Sequence, residues 1–231
     1  MSGMLYTPFK CLDVIHKDTK TKKMLKMSYT TCDKTLQDGA KLGWVFPPEY
    51  PIKSYIEIMS KLNSGENEID KFFTDYFNSD FENTVKAPIR QYYSSIPEYL
   101  RTLLEECFIS YENGHYQICV PALFATLEGL LTELSNDQDR VNTKYTQGIR
   151  DKIQLLGESP KILPLTSISY FLEMAFCQSN FNETETDMIN RHWSQHGRYI
   201  KELSKKSPLQ LFNAVALVLF AKKFIKGETQ F

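Results

Sequence analysis

Residues 96–134 read IPEYLRTLLEECFISYENGHYQICVPALFATLEGLLTEL. Ile96, Leu100, Leu103, Leu104, Cys107 and Tyr111 recur at spacings of three and four, which is one face of a helix. Asn113-Gly114 then breaks the pattern. Beyond it Tyr116, Val120, Leu123, Leu127, Leu130 and Leu134 step by 4, 3, 4, 3 and 4. Two long amphipathic helices joined by so short a loop pack antiparallel, so this stretch predicts an αα-hairpin and decides for an all-α fold.

Toward the C-terminus the helical texture continues. A polar helix is expected over 143–156, and another from Leu165, Ile168, Leu172, Ala175 and Phe176, placed after Pro164. Ser207-Pro208 reads as a helix start, Ser as N-cap and Pro at the first helical position. Between Leu209 and Ala221 only Gln210 and Asn213 are polar. A helix apolar nearly all round is buried on most sides, in a bundle centre or a subunit interface. At 13 residues that run is too short for a membrane span, which needs about 20.

Residues 1–85 have a different texture, interrupted by Pro8, Pro47, Pro48 and Pro51. Short alternating runs at 8–15 and 24–31 flank the Lys-rich link 17–23, a pattern that admits a short β-hairpin. Residues 53–63 and 67–78 predict two short helices separated by Asn63-Ser64-Gly65. Trp44 with Phe46-Pro47-Pro48 is expected to pack this segment onto the bundle. The chain therefore divides, on this reading, into a mixed N-terminal extension over 1–85 and a helical domain over 86–231.

With 231 residues the chain can bury a core without staples. Its 42% hydrophobic and 24% charged residues are those of a globular protein and exclude a wholly disordered one. The net charge is −1, distributed as +3, −6 and +2 over residues 1–50, 51–150 and 151–231. Such a balance excludes a protein that coats nucleic acid and leaves only a local contact on one face. The five cysteines form no CxxC or CxxH pair, so neither a disulfide framework nor a zinc ribbon is indicated. Cys107 and Cys119 fall on helical stretches as small core residues. The N-terminus lacks the layout of a secretory signal. A reducing, cytoplasmic setting without membrane attachment is expected.

Chemistry concentrates at Asn190-Arg191-His192-Trp193-Ser194-Gln195-His196-Gly197-Arg198-Tyr199, which holds two of the four histidines and two arginines. Thr184 and Asp187 resemble a capping box, and Gly197 suits the position after a helix end, so a helix of about three turns is expected here. A solvated helix end, with positive charge favoured by the macrodipole, accounts for the sign of the charge. It accounts less well for the choice of His and Arg. Free histidine titrates near 6.5 and transfers protons at neutral pH. Arginine is permanently charged and grips phosphate oxygens in pairs. Together they suit phosphodiester transesterification. Arg191 and His196 are five residues apart, about 140° and 7.5 Å along a straight helix. They converge only through the reach of Arg, a break at Gly197, or a second copy across a two-fold axis. His192 and His196, at i and i+4, share a face, but Trp193 stands where a zincin has Glu, and the only third ligand to suggest is His115. No resident metal is assigned.

The string Ile189 to Arg198 resembles the signature of the HEPN superfamily: an Arg, four to six residues, then His, the Arg often followed by Asn, Asp or His. Arg191 and His196 match the pair, with four residues between, and His192 matches the polar position. The upstream stretch Glu105 to Tyr116, followed by Val120-Pro121-Ala122-Leu123 and Leu127-Glu128-Gly129-Leu130-Leu131, is similar to the hairpin of these proteins, so that the resemblance covers about residues 95–225. It implies an antiparallel helical bundle that dimerises, with the two Arg/His pairs facing one another in a cleft. It implies a metal-independent endoribonuclease without cofactor, in which the RNA 2′-hydroxyl attacks the adjacent phosphate to give a 2′,3′-cyclic phosphate. Carried over, His196 transfers the proton, Arg191 binds the scissile phosphate, and His192 orients the pair. On the residues themselves, Glu128 either stands solvated at the edge of its helix or pairs with Arg191 to support the site, and Asn190 either supports the site by hydrogen bonding or is surface polar. Arg198 and Tyr199 would extend RNA binding by phosphate contact and stacking, while a lone Tyr after a helix end also reads as a packing residue. Bacterial members serve in toxin–antitoxin, abortive-infection and other antiviral systems, so an antitoxin or defence-system partner is implied. Other members are silent, binding RNA, nucleotide or a protein partner, and that is the rival reading.

Overall fold

A computed structural model describes residues 33–47, 50–59, 66–132, 147–156, 162–178, 180, 182 and 187–225. The hairpin expected within 8–31, the Lys-rich link at 17–23, the break at 63–65 and Thr184 of the expected capping box lie outside the described residues. What is described is helical, with no strand among the described residues.

Among the described residues ten α-helices follow one another: α1 (33–41), α2 (Ile52–Met59), α3 (Glu66–Ser79), α4 (Ala87–Arg90), α5 (Glu98–Glu112), α6 (Tyr116–Thr132), α7 (Gln147–Leu156), α8 (Ile162–Ala175), α9 (Arg191–Gln195) and α10 (Lys206–Ile225). A π-helical turn over Glu82–Lys86 runs into α4, and a 3-10 turn covers Tyr93–Ser95.

The predicted α5–α6 hairpin is present. Asn113 ends α5, Gly114 takes φ +79°, and the N–H groups of Gly114 and His115 donate to the carbonyls of Tyr111 and Ser110 at 3.0 and 2.8 Å. Both bonds close the helix in a Schellman turn, and the positive φ is why glycine stands there. The two helices pack closely because Gly129 has no side chain: a Cβ there would sit 2.9 Å from the Leu100 side chain. Cys107 and Cys119 are buried as expected, and burial pushes the Cys107 thiol up to about 12.

α10 runs through the centre, against α3, α4, α6 and α8. From Leu209 to Leu219 no residue exceeds 6% exposure. Of the two places the sequence allowed this helix, the bundle centre is the observed one. It starts at Lys206, two residues before Pro208, the first helical position that the sequence suggests. The Ser204 hydroxyl accepts from the Lys206 N–H at 3.4 Å, while Ser207 is buried within the first turn. Pro164 likewise falls inside the first turn of α8, where its missing N–H costs nothing.

The described residues before 86 share this core. Trp44 is fully buried, stacks on Phe73 and Phe77, and donates its indole N–H to Asp70 at 2.8 Å. Residues 44–47 have no regular structure, so their backbone groups must find partners elsewhere. α8 and α10 supply them. The Phe46 N–H donates to Ser167 Oγ at 2.9 Å, Asn213 Nδ2 to the Val45 carbonyl at 2.8 Å, and Gln210 Nε2 to the Leu42 carbonyl at 2.7 Å.

Candidate functional site: a short capped helix against α6

α9 is five residues long, not the three turns expected, and a helix so short is not stable by itself. Its neighbours hold both ends. At the N-terminus Asn190 is extended (φ −134°, ψ 133°), and its Oδ1 accepts from the N–H groups of His192 and Trp193 at 2.8 and 3.2 Å. The observed N-cap is thus Asn190. Its Nδ2 donates to the Cys177 carbonyl at 3.1 Å, tying α9 to the end of α8. Its backbone N–H donates to the Tyr199 hydroxyl at 2.6 Å, and that hydroxyl donates back to the Asn190 carbonyl at 3.0 Å. Asn190 is 3% exposed, so it supports the segment from within.

At the other end Gly197 takes φ +60°. Its N–H donates to Ser194 and that of Arg198 to Trp193, at 3.1 and 2.9 Å, a second Schellman turn. Gly197 therefore occupies the position its sequence context predicted. Trp193 is buried between the two ends, and Gln195 Nε2 donates to the Pro121 carbonyl of α6 at 3.2 Å.

Upon this frame the predicted residues are placed as follows. Arg191, the first residue of α9, meets Glu128 of α6 across the helix interface, Nε to Oε1 at 2.6 Å. The carboxylate that stands in the middle of the apolar helix is thereby paired, and is not left to solvent at the helix edge, the other place the sequence allowed it. The Arg191 Nε–H is not aimed along this contact, so it acts as a charge pair and not as an aligned hydrogen bond. His196 ends α9 and is exposed; His192, one turn earlier, is half-buried. Their rings touch edge to face, centres 4.7 Å apart. Arg191 and His196 thus stand at opposite ends of one helix, the former against Glu128 and the latter against His192. Arg198 is exposed beside them. Tyr199 is half-buried against the core with its hydroxyl engaged by Asn190, so it positions α9.

Of the nearby lysines, Lys201 pairs with Asp187 at 2.9 Å on the surface, and its ammonium holds the Asp187 carboxyl below the usual range. Lys206 pairs with Asp70 at 2.6 Å, and Lys205 is exposed. Behind α9 lies a cleft of about 450 Å³ whose lining includes Lys41, Asp70, Asp187, Tyr199, Lys201 and Lys206. Nothing in the sequence pointed to it, because its walls come from α1, α3 and both flanks of α9.

The anchors of α9 on Cys177 and Pro121 also escaped the sequence reading. Both are backbone carbonyls, which leave no residue-type signal. The chain matches no family model, no curated protein and no solved structure.

Proposed function

We propose that the protein is a metal-independent endoribonuclease. The observation that carries this reading is the rigid placement of Arg191 and His196 on one short, doubly capped helix, with Glu128 holding Arg191. In the reaction the 2′-oxygen bonds to phosphorus, the P–O5′ bond breaks, and the products are a 2′,3′-cyclic phosphate and a 5′-hydroxyl. His196, exposed at the end of α9, takes the 2′-hydroxyl proton. A second proton donor is needed at the leaving oxygen, and His192 or the site of a second copy supplies it. Arg191 binds the non-bridging oxygens and stabilises the charge that grows on them. A homodimer that brings two α9 helices together completes the cleft. Its biological setting, antiviral defence or toxin-mediated growth arrest in a bacterium with a cognate partner protein, rests on the sequence resemblance.

The test is RNA cleavage in EDTA, with the product ends analysed. Wild type should cut and leave cyclic-phosphate ends, while Arg191→Ala and His196→Ala each lose at least about 100-fold, the usual worth of a positioned proton-transfer group. RNA left intact, or cut equally by the variants, removes the enzyme reading in favour of a silent binding module. Far-UV circular dichroism of the variants confirms that their folds are kept.

A further inference from the structure

His192 and His196 are held as a pair. The His196 N–H donates to the His192 carbonyl at 3.3 Å, so His196 sits one helical turn above His192. Asn190 fixes one end of this turn, the Gly197 turn fixes the other, and buried Trp193 anchors the middle. On that frame the imidazole centres lie 4.7 Å apart with ring planes at 83°. Two imidazoles sharing one tetrahedral ion, at metal–nitrogen distances of about 2.0–2.1 Å, have centres roughly 5 Å apart. The observed spacing is close to that value.

From this geometry we infer that His192 and His196 form a two-imidazole site for a borderline divalent transition-metal ion of the Zn²⁺, Ni²⁺ or Cu²⁺ type. Imidazole nitrogen suits these ions, whereas Mg²⁺ and Ca²⁺ require oxygen. Among the described residues no group of three or more His, Cys, Asp and Glu is placed to hold a metal. The two imidazoles leave the ion's remaining positions to water or to a ligand from solution. Arg191 and Arg198 oppose the cation, and Glu128, 2.6 Å from Arg191, offsets part of that charge. Preorganisation of the pair reduces the entropy lost on chelation.

The ion binds through the lone pair of a neutral imidazole. That is the same lone pair which, on the ribonuclease reading this consequence rests upon, accepts the 2′-hydroxyl proton. Occupancy then inhibits a reaction that itself needs no metal.

The experiment is a calorimetric titration of the full chain with zinc chloride or nickel chloride, without RNA. One ion should bind saturably per chain. His192→Gln and His196→Gln should each weaken it at least tenfold, and His115→Gln should leave it unchanged. In parallel, zinc should shift the imidazole proton resonances of His192 and His196 in the wild-type protein, a readout that does not depend on the variants folding. Absence of saturable binding, or equal affinity in the His192 and His196 variants, overturns the site. Where RNA is cleaved, zinc should inhibit with the midpoint at which it binds, and EDTA should restore activity; inhibition with a different midpoint overturns the regulatory role. Metal binding without cleavage under any condition removes the ribonuclease and its regulation, and leaves the metal site standing.

Discussion

Glu128 is a carboxylate on the interior-facing helix α6 whose contact with Arg191 is only partly shielded, with side-chain exposures of 20% and 36%. A pair so placed contributes little to stability, about 1 kcal/mol or less. On the proposed ribonuclease reading its effect on Arg191 is geometric, since removing the carboxylate would free a long side chain to wander from where it would meet the phosphate. Glu128→Gln should therefore barely move the urea midpoint while lowering kcat/KM for RNA by about tenfold or more, with the pH profile kept because the proton-transfer group is intact. Equal losses in stability and activity would make Glu128 a structural residue only. The Arg191–Glu128 pairing was legible only as one of two readings: both residue types are conspicuous where they stand, but a carboxylate in an apolar helix also reads as solvated at its edge. Asn190 and Tyr199 were no clearer. Their hydrogen bonds go mostly to backbone groups, so the sequence left packing and stacking both open for Tyr199, and support and surface placement both open for Asn190.

Helices with a clear three-four pattern were read closely: α3, α5 and α6 lie within a few residues of their expected bounds. The shortfall came where capping and tertiary anchors decide. α9 is cut to five residues by Asn190 and Gly197, and α10 begins one residue before its apparent cap. The two polar residues that break the apolar run of α10 have a purpose that periodicity does not reveal, since they hold the carbonyls of Leu42 and Val45. Asn213→Ala strands a buried carbonyl and should cost about 1–3 kcal/mol in urea unfolding. Gln210→Ala should cost less, because it also removes the buried Oε1 that has no partner. An equal or larger loss from Gln210→Ala would contradict this ordering. On the outer side of α4 and α5, Arg90 bonds both carboxylate oxygens of Glu105 at 2.8 and 2.7 Å. This hydrogen bonding outweighs burial and holds the Glu105 carboxyl below its ordinary value. The folded state thus binds fewer protons than the unfolded one through the carboxylate range. The stabilisation is present above the unfolded value, near 4.3, and is lost as pH falls through the folded value. Between about pH 6 and pH 3 the wild type should lose more stability than Arg90→Met, a gap that shrinks in high salt because the groups are over a third exposed. Parallel stability–pH curves for the two proteins would refute the coupling.

For the whole molecule, the change of texture near residue 85 marks a change in local structure without a gap in the core. Leu36, Ala40, Trp44, Phe46, Tyr55, Ile69, Phe73 and Phe77 are buried in the same cluster as Leu104, Phe108, Phe171 and Phe212. Part of that texture is residues 44–47, irregular chain that bonds to both α8 and α10. Irregular chain carries no period to read, and its partners lie more than 120 residues away. The functional segment depends on this packing as well. Lys206, at the start of α10, is tied by Asp70 to Trp44, and α10 follows α9 by only ten residues. A chain of residues 86–231 should therefore not fold by itself. It would lack Leu36, Trp44 and Phe46, which are buried in the same core cluster as α10, and it would leave Asn213 and Ser167 without their backbone partners. Near-UV circular dichroism and urea titration of that fragment should show no fixed tertiary signal and no cooperative transition. A cooperative two-state unfolding curve from the fragment would instead make residues 86–231 an autonomous domain, with the earlier helices an attachment to it.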